Sequence, residues 1–200
     1  MQIWLDTEPC DLQADSVGTA IAACASLAEE RGRMIVEIEV DGESWGQQQL
    51  EQPECLGRVA GEVRLTSAEP RDLVQQTFTD AVAALEEAET MQTRAAEKIQ
   101  ADQQAEAMEE IREVCGIWLA VQQAVQQGTE LIDVDLNELK VNDTTAPAII
   151  EQLRKQLMII REQLEAQDHL ALADTLLYDC PAVIQNWRDM LDSLQRGLDR

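Results

Sequence analysis

The chain has 200 residues, of which 45% are hydrophobic and only 3% aromatic, and its formal net charge is −24. The hydrophobic fraction is sufficient for a buried core, and the scarcity of aromatic residues favours closely packed helices over a β-sandwich, because strands draw on aromatic and β-branched side chains. The charge repels phosphate backbones and anionic lipid, so we expect neither nucleic acid nor a membrane surface as a partner.

The acidic residues are spread along the chain. Residues 1–66 contain 13 acidic and 4 basic residues, and the rest of the chain contains 26 and 11. This even distribution favours a solvated surface, with an acidic site for a basic partner as the alternative. The five cysteines form no Cys-x-x-Cys pair, and the N-terminus has no basic leader segment, so we expect a cytoplasmic protein. Cys24, Cys115 and Cys180 lie in apolar stretches typical of small buried side chains.

Residues 1–66 are predicted to form a small α/β unit of three or four short strands and one helix. Ile3-Trp4-Leu5 is a short apolar segment typical of a strand. Asp15 or Ser16 can cap a helix that runs to Arg31, and Gly32 is suited to end it.

The clearest strand follows directly after this helix. Met34 to Val40 alternates apolar and acidic residues, and Asp41-Gly42 is typical of a tight hairpin turn. A last strand is predicted from Gly61 to Thr66, and the Gln-rich segment 46–52 between them is ambiguous.

Residues 67–200 are predicted to form an antiparallel bundle of four or five helices, so the whole chain is mainly α with a small α+β N-terminal part. Apolar residues recur at helical spacing from Pro70 to Ile99 and again from Met108 to Val125, which indicates two helices with a turn near Asp102, and Gly128 is predicted to end the second. Residues 129–146 interrupt the pattern.

Three further helices are predicted in the last third of the chain. One runs from Pro147 to about Gln167, and another from Asp168 to Tyr178. The last follows Pro181, which predicts a kink or a break at that point. The numerous glutamines are interpreted as residues of helix surfaces, because Gln is a good helix former.

No catalytic motif is present, and the carboxylates are too numerous for one acid–base pair to stand out, so we expect a protein that is not an enzyme. The one histidine, His169, lies at a probable helix start, and an enzyme that uses His169 with a carboxylate is kept as an alternative. No ligand set with metal-binding spacing is found, and Asp133-x-Asp135 lacks the other oxygens and the glycine of a calcium loop. No cofactor and no metal are therefore expected.

Two tryptophans are the candidate partner-binding residues. Trp118 and Trp187 both fall on apolar helix stripes in a chain with few aromatic residues. Such residues most often fill a core, and the alternative is a groove in which a partner helix docks.

One stretch carries a resemblance to a known family. Thr66-Ser-Ala-Glu-Pro-Arg-Asp-Leu73 begins a capped helix, which continues through Ala81–Glu89 and an Ala-rich second helix, Ala105–Val125. Residues 66–125 resemble the small helical export chaperones that hold flagellin before secretion. The chain departs from that family by the α/β region in front and by Thr79-Asp80 where the family has an aromatic–acid pair, so no binding residue is transferred.

A second segment, from Asp168 to Asp179, is similar to uncharacterised bacterial helical proteins, which have no known activity to transfer. The leading functional hypothesis is a non-enzymatic interaction protein, a chaperone or an adaptor that binds a partner polypeptide, and a homodimer is also plausible. An acidic nucleic-acid mimic that binds a basic protein is the alternative from charge alone.

Overall fold

The computed structural model describes residues 1–198. The chain divides into two compact units, one formed by Met1–Leu73 and one that begins at Val74. The first is a β-sheet with helices and the second is mainly helical, which confirms the predicted fold class. The first unit ends seven residues after the predicted boundary at residue 66, because the last strand continues to Ala68.

The first unit contains a five-stranded sheet with the order β2-β1-β5-β3-β4. β1 and β5 are parallel, and the other neighbouring strands are antiparallel. The two edge strands, β2 and β4, are only two residues long and were not predicted. The strands are β1 Gln2–Leu5, β2 Glu8–Pro9, β3 Met34–Val40, β4 Glu43–Ser44 and β5 Glu62–Ala68.

Helix α1, Val17–Glu30, covers one face of this sheet. Ser16 caps it, since the Ser16 hydroxyl accepts a hydrogen bond from the Thr19 amide, and Gly32 follows its end with a positive φ of 68°. The predicted hairpin turn is confirmed, because Asp41 and Gly42 both have positive φ angles. Two short helices, α2 Gln47–Leu50 and α3 Pro53–Leu56, fill the segment that was ambiguous in the sequence.

A partly buried polar cluster joins three segments of the α/β unit. The carboxylate of Asp6 accepts hydrogen bonds from the amide and the hydroxyl of Ser67, each at 2.6 Å. The guanidinium of Arg33 donates to the Ser67 hydroxyl at 2.7 Å and to the Ser67 carbonyl at 2.6 Å. We call these three residues the Asp6 cluster; both carboxylate oxygens of Asp6 have partners.

The second unit is built from five α-helices and a small hairpin. Asp102 has a φ of 57° in the turn between the first two helices, which confirms the predicted turn. The interruption at residues 129–146 contains the hairpin, which was not predicted. The elements are α4 Pro70–Gln100, α5 Gln104–Leu131, β6 Lys140–Val141, β7 Thr144–Thr145, α6 Ala146–Glu165, α7 His169–Asp174 and α8 Cys180–Leu198.

The prediction that α5 ends at Gly128 is wrong. The helix continues to Leu131, and Gly128 is buried against the ring of Phe78. A Cβ atom at this position would lie 2.7 Å from Cε1 of Phe78. The glycine is therefore required for close packing of α5 on α4 and not for a helix end.

A π-turn, Thr175–Asp179, joins α7 to α8. The amide of Cys180 donates to the carbonyl of Thr175, five residues earlier. Pro181 follows directly, so the predicted break takes the form of a π-turn in front of the proline, which has no amide hydrogen to donate.

Candidate functional site

The structure places the two candidate tryptophans in the core of the bundle. Trp118 is 2% exposed and Trp187 is 1% exposed. Their rings pack edge to face, with centroids 5.6 Å apart and planes at 73°. The core interpretation is right for Trp187, which a partner cannot reach without opening the bundle. Trp118 is also a core residue, but it forms part of the floor of a groove.

His169, the candidate catalytic residue, lies in the first turn of α7 and is half-buried. Its Nδ1 atom is buried and has no hydrogen-bond partner. A catalytic histidine is normally oriented by a hydrogen bond to a second group, often a carboxylate. His169 is not oriented in this way by its Nδ1 atom.

An apolar groove with a volume of about 370 Å³ runs between α5 and α6. We call it the α5–α6 groove. Leu119 lines the groove and is 58% exposed. Arg161 is its one charged lining residue, and the Arg161 guanidinium lies 3.5 Å from the Glu165 carboxylate. The lining residues are Cys115, Trp118, Leu119, Gln122, Leu157, Ile160, Arg161 and Leu164.

A small internal cavity lies directly behind the groove. Four residues line both spaces: Cys115, Trp118, Leu157 and Ile160. The cavity has a volume of about 10 Å³, which is the room that one water-sized group needs. Only side chains therefore separate the interior of the bundle from the groove.

The cavity lies where two parts of the bundle core meet. One part contains the large side chains of Phe78, Trp118 and Trp187, and the other is rich in alanine. Val114 and Leu153 of the first part line the cavity together with Ile111, Leu176 and Cys180 of the second.

Two glutamines give this cavity a polar character. Gln92 on α4 is 2% exposed, and its side-chain oxygen has no hydrogen-bond partner. Gln156 on α6 is half-buried, and its side-chain nitrogen is buried without a partner. Both line the cavity. Within residues 1–198, eight side-chain nitrogen or oxygen atoms are buried without a partner, and these two are the ones that share a cavity.

Cys180 also lines the cavity and is buried. Burial raises the pKa of the Cys180 thiol to about 12, and the neighbouring Asp179 carboxylate adds to the rise. The thiol stays protonated near neutral pH and is not a nucleophile. Of the three cysteines expected to be buried, Cys24 and Cys180 are, whereas Cys115 is exposed because it lies at the groove.

Sequence reasoning missed the residues that define this site. Gln92 was interpreted with the other glutamines as a surface residue, and Leu119 was not singled out. The signal for Gln92 was its position four residues from both Ala88 and Ala96, on the buried stripe of α4. The signal for Leu119 was its place next to Trp118, which makes the apolar face of α5 wider than one stripe.

Comparisons with family models, with characterised proteins and with solved structures find no match. Within residues 1–198, no helix is long and apolar enough to cross a membrane. The same residues contain no group of three or more His, Cys, Asp or Glu side chains placed to hold a metal ion. The groove and the cavity behind it are therefore the candidate functional site.

Proposed function

We propose that the protein is a non-enzymatic interaction module, a chaperone or an adaptor, which binds a segment of a partner polypeptide in the α5–α6 groove. The observation that carries the proposal is the exposure of Leu119 beside an apolar groove that is open to solvent. Apolar surface of this kind is stabilised when a partner covers it.

The dimensions of the groove suit a polypeptide segment. Its lining residues extend from Cys115 to Gln122 on α5 and from Leu157 to Leu164 on α6. Seven residues of rise on each helix correspond to about 10 Å, which is close to two helical turns of a partner. A short amphipathic helix that buries residues at i, i+3 and i+4 matches this length.

The charge of the chain favours a basic partner protein. The net charge of −24 attracts cationic proteins over a long range and raises their rate of association. The groove itself carries little charge, since Arg161 is paired with Glu165. We therefore expect a partner with an apolar segment that enters the groove and with basic residues elsewhere on its surface.

The experiment compares two substitutions of exposed leucines. Leu119→Asp places a charge at the groove, whereas Leu170→Asp places the same charge on α7, where Leu170 is 72% exposed. Both proteins, with the wild type, serve as bait in native lysate, and the recovered partner is then titrated as a purified protein. We expect Leu119→Asp to weaken binding by roughly tenfold or more, and Leu170→Asp to leave it unchanged.

Equal binding by all three proteins would show that the groove is not the interface. Concentration-dependent sedimentation of the wild type without any lysate partner, abolished by Leu119→Asp, would instead identify a second copy of the chain as the occupant. Circular dichroism of each variant checks that the helical fold is intact.

A further inference from the structure

Three glutamines of α6 lie on one face of the helix, and two of them are paired. The side chain of Asn186 donates to the Gln152 oxygen at 2.7 Å, and Gln163 donates to the hydroxyl of Thr175 at 2.8 Å. Gln156 is spaced four residues from Gln152 and seven from Gln163, which places it on the same face. Its side-chain nitrogen is buried without a partner, as is the side-chain oxygen of Gln163, but of these two residues only Gln156 lines the cavity.

The unpaired atom of Gln156 and the unpaired atom of Gln92 are complementary. The first is a hydrogen-bond donor and the second is an acceptor, and both residues line the cavity behind the groove. A group that lies between them has to donate one hydrogen bond and accept another. The cavity volume of about 10 Å³ restricts this group to the size of a single oxygen atom with its hydrogen.

We propose that Gln92 and Gln156 form a receptor for a hydroxyl group, and that this hydroxyl belongs to a tyrosine side chain of the bound partner. The inference rests on the proposed function, because it names the residue that anchors the partner segment in the α5–α6 groove. The aromatic ring lies among the apolar residues of the groove, and the hydroxyl donates to Gln92 and accepts from Gln156.

Other side chains fit this receptor less well. Phenylalanine and leucine carry no polar atom, so they leave both glutamines unpaired, and tryptophan has a donor but no acceptor. Lysine and arginine also lack an acceptor, and their charge is strongly disfavoured in a cavity lined mainly by apolar side chains. Serine and threonine have the hydroxyl but no apolar body to fill the groove. Tyrosine combines both features.

The path from the groove to the receptor is closed by side chains alone. Of the four residues that line both spaces, Trp118 and Ile160 are buried in the core, whereas Cys115 is exposed and Leu157 is half-buried. The proposal requires that a side chain shared by the two spaces, such as the half-buried Leu157, rotates to admit the hydroxyl. Rotations of this kind are fast compared with association.

The experiment uses 4-methylphenol, which is the side chain of tyrosine, and toluene, which has the same shape without the hydroxyl. Both are titrated into the full-length protein, and binding is followed by the NMR signals of the Leu157 methyl groups and of the Gln92 and Gln156 side-chain amides. We expect the wild type to bind 4-methylphenol roughly tenfold more tightly than toluene, because a site with unpaired polar atoms discriminates against the ligand that leaves them unpaired.

Three variants make the test specific. Gln92→Leu and Gln156→Leu remove one half of the receptor each, and we expect both to lose the preference for 4-methylphenol while they still bind toluene. Gln123→Leu changes an exposed glutamine of α5 and serves as the matched control, with the wild-type preference retained. Thermal melting verifies that all three are folded.

Equal affinity of the wild type for the two compounds would overturn the proposal, and so would a preference that survives in Gln92→Leu. If neither compound shifts the signals of these residues, the cavity holds water only and the tyrosine anchor is wrong. That result leaves the partner experiment with Leu119→Asp as an independent test of the groove, so the two proposals can fail separately.

Discussion

Each of the two units contains a group of partly or fully buried polar side chains, and the two groups differ in their hydrogen bonding. In the α/β unit, the carboxylate, hydroxyl and guanidinium groups of Asp6, Ser67 and Arg33 are joined by hydrogen bonds of 2.6 to 2.7 Å. In the helical bundle, Gln92 and Gln156 each keep an unpaired polar atom at the same cavity.

We interpret this difference as one of role: the Asp6 cluster stabilises the fold, and the two glutamines belong to the proposed binding site. Buried polar groups that form hydrogen bonds with one another contribute to folding stability. The loss of one partner leaves the others buried without a hydrogen bond, which costs the free energy of their desolvation. Unpaired groups reduce the stability of the free protein, so their presence is explained when a ligand pairs with them. The comparison makes opposite predictions for substitutions in the two clusters.

The largest effect is expected for the apolar core beside the unpaired glutamines. Trp187→Ala removes a side chain that is 1% exposed and packs on Trp118, and we expect it to lower the free energy of unfolding by about 3 to 5 kcal/mol. Urea denaturation followed by circular dichroism at 222 nm measures the loss. Leu119→Ala is the control, because an exposed side chain makes little difference to stability.

A small change in the stability of Trp187→Ala, together with a loss of partner binding, would contradict its assignment to the core. It would then support the alternative interpretation, in which Trp187 is a docking residue.

A smaller but clear loss is expected from the Asp6 cluster. Asp6→Ala leaves the hydroxyl of Ser67 and the guanidinium of Arg33 without their carboxylate, and we expect the α/β unit to lose about 2 to 3 kcal/mol. Hydrogen exchange of the amides of β1 and β5 reports on this unit directly. Glu37→Ala, which removes an exposed carboxylate from β3, is the matched control and should leave exchange unchanged.

The Asp6 cluster also predicts how the difference in stability between the wild type and Asp6→Ala depends on pH. Partial burial raises the pKa of Asp6, but the hydrogen bonds from Ser67 and the charge of Arg33 outweigh it, so the pKa lies below its ordinary value. A lowered pKa stabilises the fold above the pKa of the unfolded chain, and this contribution disappears as the pH falls through the folded value. The gap between wild type and Asp6→Ala should therefore be constant near neutral pH and close below about pH 4. A constant gap into strong acid would argue against the ionised carboxylate as its source.

The smallest change in stability is expected for a substitution of the unpaired glutamines, and it is of the opposite sign. Gln92→Leu replaces an unsatisfied amide by an apolar side chain of similar size, so we expect the bundle to keep its stability or to gain about 1 kcal/mol. Urea denaturation measures the change. A loss as large as that of Asp6→Ala would show that Gln92 is fully paired in the folded protein and would remove the contrast between the two clusters.

Local sequence signals predicted most of the fold. The capping residue Ser16, the Asp41-Gly42 turn and the turn at Asp102 were all visible, because each depends on backbone chemistry within a few residues. The signals were weaker for β2 and β4, since a strand of two residues shows no alternation. Gly128 was misread because a glycine at a helix end and a glycine at a close helix contact look the same in one sequence.

The candidate site was much less predictable, for a reason that lies in tertiary packing. Whether Trp118 and Trp187 are core or groove depends on which helices face them, and periodicity fixes the face of a helix but not its neighbour. Gln92 on α4 and Gln156 on α6 line the same cavity, although they lie more than sixty positions apart in the chain. A composition rule that assigns glutamine to the surface has no means to find such a pair.

The short edge strands have a consequence for how the protein meets other chains. β2 ends at Pro9, which has no amide hydrogen, and β4 consists of two residues. A strand from another protein that lay along β2 or β4 would gain few backbone hydrogen bonds from these two segments. β2 and β4 are therefore themselves poorly suited to β-augmentation and to edge-to-edge aggregation.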